Sequence, residues 1–129
     1  MATIKSYTDI EQSRKLAEIL PLGSADMYWW SSGKRYYIEA MDDGDFNEEE
    51  GHVRAWSLAA LLDVLPNNEN ISTNLSKGGY RISTLEYTNS WFVDYEDETN
   101  GSNNCVTSAD NPIDACVAMI EHLYELKML

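Results

Sequence analysis

Apolar positions recur at helical spacing in three stretches of this chain, and crowd into short β-prone runs in four others. Ile10, Leu16, Ala17, Ile19 and Leu20 fall on one helical face, and that periodicity marks an amphipathic helix packed on a core. Thr8-Asp9-Ile10-Glu11 ahead of them has the form of a capping box, in which the Thr8 hydroxyl accepts from the Glu11 amide while the Glu11 side chain reaches back. The pattern predicts a helix from about Asp9 to Leu20, ended by Pro21. A second begins at Ser57, where Leu58, Leu61, Leu62 and Leu65 stand at i, i+3, i+4 and i+7. Trp56 can pack on Leu61 as a hydrophobic staple, and Pro66 ends the pattern. In the third, Asn111 caps, Pro112 suits the first helical position and Asp114 complements the N-terminal dipole. Its stripe is Ile113, Cys116, Val117, Ile120, Leu123 and Tyr124, so the helix should run from Pro112 almost to Leu129.

Between these helices lie Met27 to Trp30, Lys34 to Met41, Tyr80 to Tyr87 and Trp91 to Tyr95, rich in aromatic and β-branched residues. Such runs read as strands. Ser31-Ser32-Gly33 can turn the first into the second and Thr88-Asn89-Ser90 the third into the fourth. Trp91, Val93 and Tyr95 would share one sheet face, with Phe92 and Asp94 opposite. Alternation of this kind suits an antiparallel sheet with one covered face. The expected fold is α+β: a single domain over residues 1–129, with one antiparallel sheet of about four strands packed against two or three helices in two layers. Asp42 to His52, Pro66 to Gly79 and Glu96 to Ala109 read as loops, being rich in Asp, Asn, Ser, Gly and Glu.

Charge changes the picture of what such a domain can meet. The 22 Asp and Glu against 9 Lys and Arg leave a formal net charge of −13. Seven of the twelve residues from Glu39 to Glu50 are carboxylates. A surface so negative repels nucleic-acid phosphate and anionic lipid, so direct binding of DNA, RNA or membrane is not expected. Fourteen aromatic residues argue against disorder despite that charge. Met1 to Tyr7 has no apolar core of a signal peptide, and Leu58 to Leu65, the longest apolar stretch, is interrupted by Asp63. With only Cys105 and Cys116 and no export signal, free thiols in a reducing cytoplasm are expected.

Candidate chemistry is sparse. Asp43-Gly44-Asp45-Phe46-Asn47 alternates oxygen ligands as a calcium loop would, but counting from Asp43 the sixth position is Glu48 where the sharp turn needs Gly, and the twelfth is Arg54 where a bidentate carboxylate is needed. His122 has Ala118 and Leu126 at i±4, which supports no zinc site. No Gly-x-Ser-x-Gly, phosphate-binding Gly loop, Cys-x-x-Cys or His-Glu-x-x-His occurs. No cofactor, metal ligand or catalytic residue is expected, and the carboxylates read as solvated surface. Trp29-Trp30 and Tyr36-Tyr37 are different. In paired strands one member of each doublet must point away from its neighbour, which leaves large aromatic surface outward or covered by a partner.

Ser6 to Ser13 with Lys15-Leu16 and Ile19-Leu20-Pro21, Trp56 to Leu62 with Val64-Leu65-Pro66, and Asp110 to Cys116 together resemble a loose group of small uncharacterised acidic proteins encoded by phages and mobile elements of gut anaerobic bacteria. The resemblance implies a bacterial cytoplasmic setting and carries no activity or site residues. The expected function is therefore non-enzymatic binding of another protein, one with a basic surface. Trp29, Trp30 and Tyr36 would supply the anchors and Glu39, Asp42, Asp43 and Asp45 the steering charge. The alternative is imitation of nucleic acid by carboxylates at phosphate-like spacing, which would occupy a DNA-binding host protein. Less favoured is a carboxylate-based enzyme of unrecognised type.

Overall fold

A computed structural model describes residues 5–41, 44–65, 80–84, 91–95 and 105–127, and they build three α-helices and two antiparallel three-stranded sheets. The chain divides into two compact units, Ser6–Val64 and a second of Met1–Lys5 with Leu65–Leu129.

The first unit opens on helix α1, Ile10–Ile19, whose cap is Asp9 rather than Thr8. Asp9 accepts from the Gln12 amide at 2.8 Å, and the Gln12 side chain accepts from the Asp9 amide at 3.1 Å, so the capping box forms one residue later than expected. The shift has a cause. Thr8 is fully buried and its hydroxyl is already engaged, 2.7 Å from the Ser13 hydroxyl and accepting from the Trp56 amide at 3.1 Å. Ser13, Leu16 and Leu20 line the buried side of the helix.

Strand β1, Met27–Ser31, pairs antiparallel with β2, Tyr36–Ala40, and on its other side with β3, Val53–Ala55, giving the order β2-β1-β3. Ser31, Ser32 and Gly33 make the turn as anticipated: Gly33 has φ +94°, a conformation glycine adopts without a Cβ penalty, and its amide donates to the Ser31 hydroxyl. Helix α1 lies against β3. β3 runs directly into Trp56, fully buried with its indole N–H donating to the Ser24 hydroxyl at 2.9 Å. Helix α2, Leu58–Val64, follows. Asp26 accepts from both the amide and the hydroxyl of Ser57, and the Ser57 hydroxyl accepts from the Ala60 amide at 3.2 Å, capping α2. Leu61 and Ala60 are buried, and Leu58 and Leu62 are half-buried.

In the second unit β4, Tyr80–Thr84, β5, Trp91–Tyr95, and β6, Cys105–Ala109, form a meander in sequence order. Helix α3, Pro112–Glu125, packs on β5 and β6. Its start matches the expected one: the Asn111 side chain accepts from the Asp114 amide at 2.9 Å, and Pro112 stands at the first position. Ile113, Cys116, Val117, Ile120 and Leu123 are buried, joined by Ala115 and Met119. Tyr124 departs from the expected stripe and is 50% exposed, because it lies near the end of the helix. Val93 is fully buried opposite Thr107, whose hydroxyl donates to the Ala115 carbonyl at 2.8 Å and ties sheet to helix. Lys5 and Asn111 both hold the Asp114 carboxylate.

The expected single sheet of about four strands is thus replaced by two sheets of three. β6 comes from a segment that reads as loop, and β3 from residues 53–55, between the expected loop and the expected helix, to which the sequence pattern assigns no element. The turn at Thr88-Asn89-Ser90, the loop Pro66 to Gly79 and residues 85–87 lie outside the described residues.

Two outcomes follow from these contacts. Thr8→Val keeps the shape of the side chain but strands the buried Trp56 amide, and should cost about 1–3 kcal/mol in denaturant unfolding, with Thr8→Ser recovering most of it. Burial pushes the Cys116 thiol up from 9.0 to about 12, so it stays protonated and unreactive at neutral pH. In a Cys105→Ser background a thiol reagent should label the native protein only at the rate of unfolding. Because the folded form resists ionisation, stability from this group is intact below pH 9.0 and declines as pH rises towards about 12, which urea titrations across that range will read.

Candidate functional site

The register of the first sheet sorts its side chains into two faces. Residues directly opposite in antiparallel strands share a face. Trp29 lies opposite Ile38 and Val53, and Met27 opposite Ala40 and Ala55. The Trp29 ring meets Tyr7 edge-on with centroids 5.6 Å apart, and its indole N–H donates to the Thr8 carbonyl at 3.0 Å. This is the face turned to the N-terminal segment. The other face carries Tyr28 opposite Glu39 and Arg54, and Trp30 opposite Tyr37.

At one end of that second face the acidic stretch folds back on the sheet. Tyr28 is only 2% exposed: His52 stacks on its ring at 5.2 Å, Phe46 meets it edge-on at 5.6 Å, and its hydroxyl donates to Glu39 at 2.9 Å. The Arg54 guanidinium lies 4.4 Å from the centre of the Phe46 ring while its Nε donates to Glu48 at 3.1 Å. The Asn47 amide donates to His52 Nδ1, and the Asn47 side chain accepts from the Glu49 amide, shaping the short 3-10 turn Glu48–Glu50. Gly51 closes that turn at φ +84°. The stretch expected as an open loop therefore has an aromatic underside and an acidic exterior. Aromatic and cation–π contacts of this sort contribute about 0.5–1.5 kcal/mol each.

At the other end the face is barer. Trp30 stacks on Tyr37 with ring centres 4.6 Å apart and planes 25° apart. Arg35 caps the stack, its guanidinium 5.1 Å from the Tyr37 ring and its Nε donating to the Tyr37 hydroxyl at 2.8 Å. Trp30 and Tyr37 are half-buried and Arg35 is exposed. The Trp30 indole N–H is covered yet has no acceptor among the described residues. A covered donor without a partner costs about 1–3 kcal/mol, and in a native protein it calls for a specific reason.

The residues singled out from sequence do not form one patch. Trp29 and Tyr36 belong to the helix-side face, Trp29 half-buried against Tyr7 and Tyr36 43% exposed at the rim. Trp30 and Glu39 belong to the opposite face, Glu39 exposed while receiving the Tyr28 hydroxyl. Asp45 is exposed at the start of the folded-back stretch, and Asp42 and Asp43 lie outside the described residues. Arg35, Phe46, His52 and Arg54 complete the face and were not anticipated, while Tyr37 is the member of the Tyr36-Tyr37 doublet that joins them. The two-residue period Arg35-Tyr37-Glu39 is the signal that places Arg35 and Tyr37 with Trp30. The apparent calcium loop is used otherwise: Asn47 caps the 3-10 turn and Arg54 binds Glu48. Among the described residues no three His, Cys, Asp or Glu side chains converge as a metal site, and no helix is long and apolar enough to cross a membrane.

Removing the Phe46 ring should release the folded-back stretch. Phe46→Ala is expected to lower stability by about 1–2 kcal/mol and to speed hydrogen exchange at the Asn47, Glu49 and Gly51 amides, with β1 amides little changed. No family model, curated protein or solved structure matches this chain.

Proposed function

We propose that this chain is a non-enzymatic acidic protein that binds another protein with a basic surface. The observation that carries the reading is the Trp30–Tyr37 stack: two large aromatic rings, half-buried and joined by Arg35, on a face whose opposite end presents carboxylates outward. Aromatic anchors beside like-signed charge are what an interface needs, since burial of the rings supplies affinity and the charge accelerates encounter. The sequence resemblance fits an accessory protein of a phage or mobile element acting in a bacterial cytoplasm.

Imitation of nucleic acid is the weaker reading. Its carboxylates would have to be free and aligned, whereas Glu48 is bound by Arg54 and Glu50 lies 3.7 Å from His52.

Affinity capture from bacterial lysate at low and high salt tests the proposal. A specific partner should be retained by the natural chain and weakened about thirtyfold by Trp30→Ala, roughly the 2 kcal/mol of an interface hot spot. Glu39→Gln with Asp45→Asn should slow association and flatten its salt dependence. Recovery of no specific partner at either salt, or of one indifferent to Trp30, removes the reading.

A further inference from the structure

Past the end of β3 the chain is joined by the N-terminal segment, whereas β2 has no strand on its outer side among the described residues. Beyond β3 the chain is met by the N-terminal segment: Thr8 N donates to Trp56 O, Leu58 N to Ser6 O, and Tyr7 bridges Ser57. At β2 nothing of the kind happens. Met41 N donates to Asp26 O and Ser32 N to Arg35 O, which turns the backbone groups of Arg35, Tyr37, Glu39 and Met41 inward to β1 and those of Tyr36, Ile38 and Ala40 outward. Among the described residues these outward amides and carbonyls have no hydrogen-bond partner. The protection of this edge is slight: β2 has one charged side chain, Glu39, holds no proline or lysine, and its five residues pair with β1 without a bulge.

We propose that β2 receives an extended, basic segment of the partner protein as an added antiparallel strand. This rests on the reading above that the partner is a basic protein, and it specifies how that partner is held. Main-chain hydrogen bonds to Tyr36, Ile38 and Ala40 supply register, and side chains at alternate positions supply selectivity. The partner residue opposite Glu39 meets an exposed carboxylate and is Lys or Arg. The residue opposite Tyr37 lies over the Trp30–Tyr37 stack, which accepts an apolar group or a guanidinium. On the helix side the exposed Tyr36 flanks the same strand. Charge selects this occupant over a second copy of the chain: two copies joined at β2 would bring together bodies of net charge −13 each, while a lysine-rich strand is drawn in.

The test uses the full chain and a short peptide alternating lysine with threonine, compared with the same peptide N-methylated at every residue, which keeps its charge and loses its donors. Titration calorimetry should show the parent peptide binding and the methylated one weaker by about tenfold or more, the loss of two or three main-chain hydrogen bonds. The Ile38 and Ala40 amides should gain protection from hydrogen exchange. Ala40→Pro removes an outward donor without touching the bonds to β1, which edge strands tolerate, and should weaken the parent peptide by about tenfold. Should that variant unfold by circular dichroism, the methylated comparison on the natural chain decides alone. Equal binding of both peptides with unprotected amides overturns strand addition and leaves protein binding through the charged face standing. Failure of both peptides to bind, while a lysate partner still depends on Trp30, does the same. Protection of the Tyr36, Ile38 and Ala40 amides in the free protein, together with a dimer in sedimentation, overturns it by showing the edge filled by a second copy.

Discussion

Thr8 holds the first unit together, because every polar group it owns is spent on a different part of the chain. Its amide donates to the Trp56 carbonyl, its carbonyl accepts from the Trp29 indole, and its hydroxyl bonds both the Ser13 hydroxyl and the Trp56 amide. One buried residue thereby joins the start of α1, the middle strand of the sheet and the junction between β3 and α2. A buried network is stable only when each member is satisfied. Asp26 at Ser57 and Ser24 at Trp56 extend the same clamp along the α2 entrance.

That clamp settles what the sheet can offer outward. With Trp29 fixed to Thr8, the pleat sends Trp30 to the opposite face, and Tyr37 and Glu39 go with it. The acidic stretch then shelters the Tyr28 end through Phe46 and His52. Among the described residues the ring contacts of Trp30 and Tyr37 are with each other and with Arg35. The aromatic surface that alternation alone would leave uncovered is therefore divided: half becomes a second small core and half stays available.

How far the sequence announces this depends on whether the deciding contacts are local. Helix α3 is legible almost to the residue, because Asn111-Pro112 and a long apolar stripe act within one segment. The strands Met27–Ser31 and Trp91–Tyr95 are legible for the same reason. β3 and β6 are not. Val53-Arg54-Ala55 is three residues long and follows a charge run, and Thr107-Ser108-Ala109 has little apolar signal. Both become strands through pairing with distant partners. The cap of α1 moved by one residue for the same cause, a tertiary claim on Thr8 by Trp56. Of the site, the aromatic doublets and their need to split between faces are visible in the sequence, while which member goes to which face needed the register, and the contacts of Arg54 and His52 needed the return of the acidic stretch.

The two sheets also differ in the order of their assembly. In the meander β4-β5-β6 each strand joins its predecessor, whereas the chain leaving β2 must cross β1 to place β3 on the far side of it. The span it has to close is the run from Met41 to His52, crowded with carboxylates that repel one another, and it is held once Arg54 pairs with Glu48 and Phe46 and His52 pack on the Tyr28 ring. Closing such a span costs chain entropy and electrostatic work before any pairing is returned. Ionic strength should thus set how fast this half of the protein reaches its native topology, because the same charge proposed for encounter with a partner first opposes the chain's own closure.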